Sequence, residues 1–204
     1  MKKNNNERFL EAAQKVANGI LTMIDENTWD TTHVLNYPDL SVKEKFRIVY
    51  YDGEAALALL RLYQHDKNNL WLETVENLFE FFIKNEYWQY HDHWLGYCTN
   101  ELVQIKPEDK YIIFGIKNVN ENLAFIRRNK LAFATFLELL MATYRLIQKA
   151  KSIGKQNIIN DNIDEDKFID TIHLRADYQR IGYFYPELAM YFKNPQRILG
   201  SFFV

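Results

Sequence analysis

Apolar side chains recur along this chain at the period of a helix, in two distinguishable ways. Over residues 7–24, Phe9, Ala13, Val16, Ile20 and Ile24, with Leu10, Ala17 and Leu21 beside them, make one stripe. Glu11, Gln14, Lys15 and Asn18 take the opposite face, the pattern of a helix with one buried side. Residues 70–84 repeat it, with Trp71, Val75, Leu78, Phe79 and Phe82 inward against Glu73, Glu76, Asn77 and Glu80. Residues 54–63 and 131–147 differ. Positions 55–60 are apolar without a break, and 131–141 are interrupted only by Thr135 and Glu138. A helix apolar nearly all round is covered on most sides, and 92–105 is a milder case. The order is therefore outer, inner, outer, inner, a less regular segment after Pro107, inner, and an amphipathic stretch near 164–178. That is an all-α chain with inner and outer helix layers.

Polar punctuation fits this division. Asn4, Asn5 and Asn6 offer a cap for the first helix, and Gly154 a C-terminal stop after residues 131–147. Residues 66–69 read as a turn and the polar run 155–166 as a loop. Pro107 suits the first turn of a helix, although Tyr111, Ile112, Ile113 and Phe114 before Gly115 also fit a short strand. The segment 26–47 is long for a connection, which often marks a functional loop. Within it Ser41-Val42-Lys43-Glu44 matches a capping box. No linker divides residues 1–204, so they read as a single domain.

One pattern occurs twice, 40 residues apart: Tyr50-Tyr51-Asp52-Gly53-Glu54 opens the apolar run 55–60, and Tyr90-His91-Asp92-His93-Trp94 opens Leu95-Gly96-Tyr97-Cys98. Arg127-Arg128-Asn129-Lys130 ahead of Leu131 is a weaker third copy. Such a period is that of a helical-hairpin repeat. It would bring polar groups at equivalent helix starts to one rim. Asp52 also fits an N-cap, and Glu54 is favoured in a first turn by the helix dipole. His91 and His93 diverge by about 200° at a helix start, so with no His-x-x-x-His spacing nearby they do not suggest a metal centre, even with His33 and His173 as further ligands. As proton shuttles or hydrogen-bond donors they fit better. Tyr50, Tyr51, Tyr87, Trp88, Tyr90 and Trp94 crowd the same presumed rim.

The run from Tyr50 to Tyr63, a turn, and then Trp71-Leu72-Glu73 opening an amphipathic helix resembles a hairpin of the (α/α) toroid superfamily. That superfamily includes the six-hairpin glycosidases, unsaturated-glucuronyl hydrolases, N-acylglucosamine 2-epimerases and uronyl C5-epimerases. The likeness covers roughly residues 45–150 and is a style of repeat. It implies an α/α-hairpin toroid, here a partial one. It also implies a carbohydrate-active enzyme, a hydrolase of a glycan or sugar-containing polymer, or else an epimerase or lyase. In glycosidases of this type catalytic carboxylates lie at inner-helix starts, where Asp52, Asp92 and Glu54 stand. Carboxyl groups about 5–5.5 Å apart suit a retaining mechanism and about 6.5–9.5 Å an inverting one. Tyr51, His91, His93 and Trp94 would bind substrate. The competing reading is a non-catalytic hairpin scaffold whose concave face holds a peptide or protein.

Composition narrows the classes. The 204 residues carry a net charge of −2, which recruits neither nucleic acid nor an acidic membrane. No stretch approaches the ~20 apolar residues of a membrane span. The start has the charge of a signal peptide without its apolar run. The lone Cys98 suits a reducing compartment and reads as a core residue, so the expected location is the cytoplasm. There is no G-x-G-x-x-G, Walker loop, G-x-S-x-G or C-x-x-C motif, and no cofactor or metal is expected. The expected partner is a sugar or glycan. The hairpins are few for a toroid and residues 198–204 are apolar, which suggests a further stretch of chain or a second copy covering an exposed face.

Overall fold

Residues 50–66 and 93–105 meet so closely at their N-terminal ends that one position between them has no room for a side chain. The structure is a computed structural model, and it describes residues 7–131 and 133–201. In chain order it has α1 (Glu7–Leu21), a hairpin of β1 (Val34–Leu35) and β2 (Val42–Glu44), α2 (Tyr50–Asp66) and α3 (Asn69–Lys84). A 3-10 turn (Tyr87–Tyr90) leads to α4 (His93–Ile105), α5 (Asp109–Asn120) and α6 (Leu123–Arg128). Then come α7 (Ala134–Ser152), α8 (Gln156–Asn162), α9 (Glu165–Ile181), α10 (Pro186–Ala189) and α11 (Pro195–Ile198). The protein is all-α, with one small antiparallel sheet among the described residues.

The heaviest packing runs from α2 to α4 and from α4 to α7. Helix α3 lies against α2, α5 against α4 and α7, and α8 against α5. The α2–α4 approach depends on Gly53: a Cβ there would lie 2.3 Å from Asp92 Oδ2 and 2.8 Å from Leu95 N. Gly96 serves the α4–α7 contact in the same way, with Leu139 Cδ1 2.8 Å from where its Cβ would be. Between the helices Phe79, Phe82, Tyr111 and Phe114 are fully buried, with Phe79 edge-on to the other three at centroid distances of 5.4–5.6 Å. Each such ring contributes roughly 2–3 kcal/mol by burial.

The all-round apolar stretches are covered unequally. In 131–147 burial begins at Leu139, with Leu131 and Phe133 exposed and Phe136 and Leu137 half-buried, whereas 54–63 and 92–105 are open on one side only. Helix α2 buries Ala56, Leu57, Leu59 and Leu60 but leaves Glu54, Ala58 and Arg61 open. Helix α4 keeps Trp94, Tyr97 and Glu101 half-buried. The strips are stitched together by Arg61 Nη2 and Gln64 Nε2, which donate to the two Glu101 carboxylate oxygens at 2.7 and 3.1 Å.

Several local expectations change. The stripe on α1 splits: Phe9 and Val16 are each 65% exposed, while Ala17 is buried and Leu10, Ile20, Leu21 and Ile24 are half-buried against the core. Among the described helices α2 is the main neighbour of α1, so only one side of the stripe is covered. The Ser41–Glu44 capping box is not a helix start, since Val42–Glu44 pairs with β1 and the side chain of Asn36 donates to Ser41 Oγ instead. Tyr111 to Phe114 lie in α5, not a strand. Part of the polar run after residue 155 forms α8, anchored by buried Ile158 and Ile159. The third pattern copy does not open a helix: Arg127 and Arg128 end α6, and α7 starts at Ala134 with no side-chain cap. That segment is held by Arg175 of α9, whose buried guanidinium donates to the carbonyls of Asn129 (2.6 Å) and Leu131. The asparagine cap at residues 4–6 lies outside the described residues. Gly154 does follow the end of α7 with φ +79°.

Candidate active site

The two repeated aspartates do different jobs. Asp52 stands inside the first turn of α2, whose N-cap is Val49 without a side-chain bond, so it is not the cap the sequence suggests. Its Oδ1 accepts from Thr31 Oγ1 at 2.5 Å and from His33 Nε2 at 3.1 Å. His33 Nδ1 in turn accepts from the amide of Arg47 at 2.9 Å, which fixes the ring as the Nε2–H tautomer. The long segment between α1 and α2 is thus strapped to α2 through a buried carboxylate. Asp52 Oδ2 is buried and has no partner among the described residues.

Asp92 is a cap. Its Oδ2 accepts from Leu95 N at 2.8 Å, its backbone is extended, and α4 begins one residue later. Its Oδ1 is buried with no hydrogen-bond partner among the described residues and lies 3.5 Å from His93 Nδ1. The preceding turn is pinned from α5: Asn118 Nδ2 donates to the Asp92 carbonyl at 2.8 Å, and His91 Nδ1 donates to the Asn118 carbonyl at 3.0 Å. The two histidines therefore diverge, His91 to α5 and His93 to α7. Among the described residues no three His, Cys, Asp or Glu side chains are grouped to hold a metal ion.

His93 is the centre of the arrangement. Its Nε2 is 3.8 Å from Oε2 of Glu138 on α7, whose side chain is 41% exposed. The rings of Tyr50 (5.2 Å, edge-on) and Trp94 (5.0 Å) flank it, with Tyr97 beyond. Asp92, His93 and Glu138 form a chain that starts in the core and ends in solvent. Glu54, exposed on α2, lies near enough to Asp92 to act on it electrostatically. Tyr51 is drawn away, against His33 at 5.3 Å. The sequence reading missed Glu138, Asn118, Thr31 and the bond from His33 to Asp52. Only Glu138 left a trace, as the acid interrupting the apolar run 131–141.

Burial pushes both carboxyls upward. For Asp52 desolvation outweighs the bonds from Thr31 and His33. For Asp92 it outweighs the amides of Leu95 and Trp94 and the nearby imidazole, and Glu54 adds to the rise. Such a carboxyl holds its proton longer when folded than when unfolded. Between the unfolded value near ~4 and the raised folded value, the native state binds more protons, so this contribution to stability falls as pH rises. Asp92→Asn keeps a good cap and removes the titration. In urea denaturation at pH 4 to 7, wild type is expected to lose stability relative to Asp92→Asn as pH rises. Parallel stabilities across that range would contradict the shift.

No known family, no curated protein and no solved structure matches this chain. Among the described residues no helix is long and apolar enough to cross a membrane.

Proposed function

We propose that the protein is a carbohydrate-active enzyme that hydrolyses a glycan or sugar-containing polymer on the open face of α2, α4 and α7. In this reading those helices are the inner layer of a partial α/α-hairpin toroid, with α3 and α5 outside them. The observation that carries it is His93, held between a buried carboxyl and an exposed one and walled by Tyr50 and Trp94. Flat rings beside a few convergent polar groups suit a sugar, whose faces are apolar and whose edges hydrogen-bond. The Asp92–His93–Glu138 chain would deliver a proton to the glycosidic oxygen as the C–O bond breaks. Glu54 would take the proton from the water that attacks the anomeric carbon. Asp52, with Oδ1 committed to Thr31 and His33, would be a positioning residue, and His91, bonded to α5, would hold the turn. A single, fully buried Cys98 is in keeping with a cytoplasmic protein.

The test is a thermal-shift screen against neutral sugars, amino sugars and uronides, followed by turnover assays on hits. Glu138→Gln and Glu54→Gln are each expected to lower kcat by about 10²- to 10⁴-fold with an unchanged melting temperature, and Trp94→Ala to raise KM. Glu54 is exposed and Glu138 half-buried with its side chain reaching solvent, so folding should survive either change. No response to any sugar, together with tight binding of a peptide or protein, would assign the face to a scaffold instead.

A further inference from the structure

Where α1 meets α2 the packing is open, and the joint forms a half-open cavity of about 420 Å³. It exists because α2 presents small residues to α1. Ala55 and Ala58 form one wall and Ile20, Met23 and Ile24 the other, while the segment 31–33 closes one side. The volume falls in the range of small-molecule sites, which are mostly apolar with a few fixed polar groups. Here the hydroxyls of Thr31, Thr32 and Tyr51 can donate or accept, and the charge is carried by the carboxyl groups of Asp52 and Glu54. Asp52 lines the cavity and its Oδ2 is buried without a partner among the described residues. Glu54 lines it from the exposed side of α2. His33 also lines it, but both ring nitrogens are already engaged, one with Asp52 and the other with the Arg47 amide. Arg47 itself is committed to Glu44. Among the described residues no lysine or arginine lines the wall. A carboxylate head would meet two carboxyl groups and no cation, and a wholly apolar ligand would leave Asp52 Oδ2 unanswered.

We propose that this slot binds a small amphiphile with an aliphatic body and a cationic, hydrogen-bond-donating head, a primary alkylamine in its simplest form. The head lies at Asp52 and Glu54, and the chain runs between Ile20, Ile24 and Ala58. The site is separate from the glycan face at His93 and Glu138, with Glu54 standing where the two adjoin, and does not depend on that reading.

The probes are butylamine, hexylamine, octylamine, octanol and octanoate, with affinity measured by calorimetry on the full chain. Affinity for the amines is expected to rise about fourfold per methylene, the factor that each buried CH₂ contributes, and octanoate is expected not to bind. Ala58→Leu fills the slot from an exposed helix position, so it should fold normally and lose octylamine binding. Glu54→Gln should weaken octylamine at least tenfold while leaving octanol unchanged. Octanoate binding as tightly as octylamine, affinity independent of chain length, or wild-type octylamine affinity in Ala58→Leu would each overturn the proposal.

Discussion

Gly53→Ala is expected to lower the melting temperature by about 10 °C. The added Cβ would sit 2.3 Å from Asp92 Oδ2, 2.7 Å from Trp94 Cβ and 2.8 Å from Leu95 N. The carboxylate cannot simply swing aside, because Oδ2 caps α4 through Leu95 N. Two of the three obstacles are backbone or Cβ atoms, so α2 and α4 must move apart. Overpacking of this kind costs about 3 kcal/mol, and a chain of this size loses roughly 2–4 °C per kcal/mol. Gly19→Ala is the control. Nothing lies within 4 Å of its Cβ position on α1, so alanine there should add about 0.5–1 kcal/mol by stiffening the unfolded chain. Scanning calorimetry of both variants checks the pair. If Gly53→Ala melted within a degree or two of wild type, the close α2–α4 approach would be wrong.

Asp52→Ala is expected to free the segment between α1 and α2 and to cost about 3 kcal/mol. Without the carboxylate the Thr31 hydroxyl loses its acceptor and the His33 Nε2–H keeps only the longer contact to Thr31 Oγ1 at 3.3 Å, each loss costing about 1–3 kcal/mol, part of which relaxes as the strap opens. Asp52→Asn retains one acceptor oxygen and should cost less. The effect has a local signature that a plain core defect would lack. The amides of Arg47 and Ile48 donate to His33 Nδ1 at 2.9 and 3.4 Å, so their hydrogen exchange should accelerate far more than that of core amides in α4. Limited proteolysis should cut first within residues 25–48. A variant that lost global stability with those two amides still protected to the same degree would show that Asp52 does not hold the strap.

Much of the helical skeleton was legible because it rests on local rules. The inward face of α3, with Trp71, Val75, Leu78, Phe79 and Phe82 all buried, follows from spacing alone. So do the turn at residues 66–69, where Asn68 caps α3, and the start of α4 at Asp92. The errors fell where a neighbour outweighed a local preference. Asp52 has the surroundings of a cap, but Val49 takes that place and the carboxylate answers to Thr31 and His33, 21 and 19 residues earlier. The stripe on α1 is wider than the one face its main neighbour α2 covers, so Phe9 and Val16 stay exposed while Ala17 is buried. Arg175 is charged and would be expected at the surface, yet the carbonyls of residues 129 and 131 draw it inside.

The sequence by itself determined that the chain is helical, which stretches are apolar on nearly all sides, and that an aspartate stands near the start of each of α2 and α4. Those properties follow from periodicity and capping, which operate over one or two turns of chain. Only the tertiary structure decided that Asp52 is a strut and Asp92 a cap, and that His93 meets Glu138, 45 residues away. It alone opened a cavity between α1 and α2 beside Ala55 and Ala58. A buried carboxyl takes its character from whichever donors the fold brings within about 3 Å, and the partners of Asp52 and His93 come from distant parts of the chain.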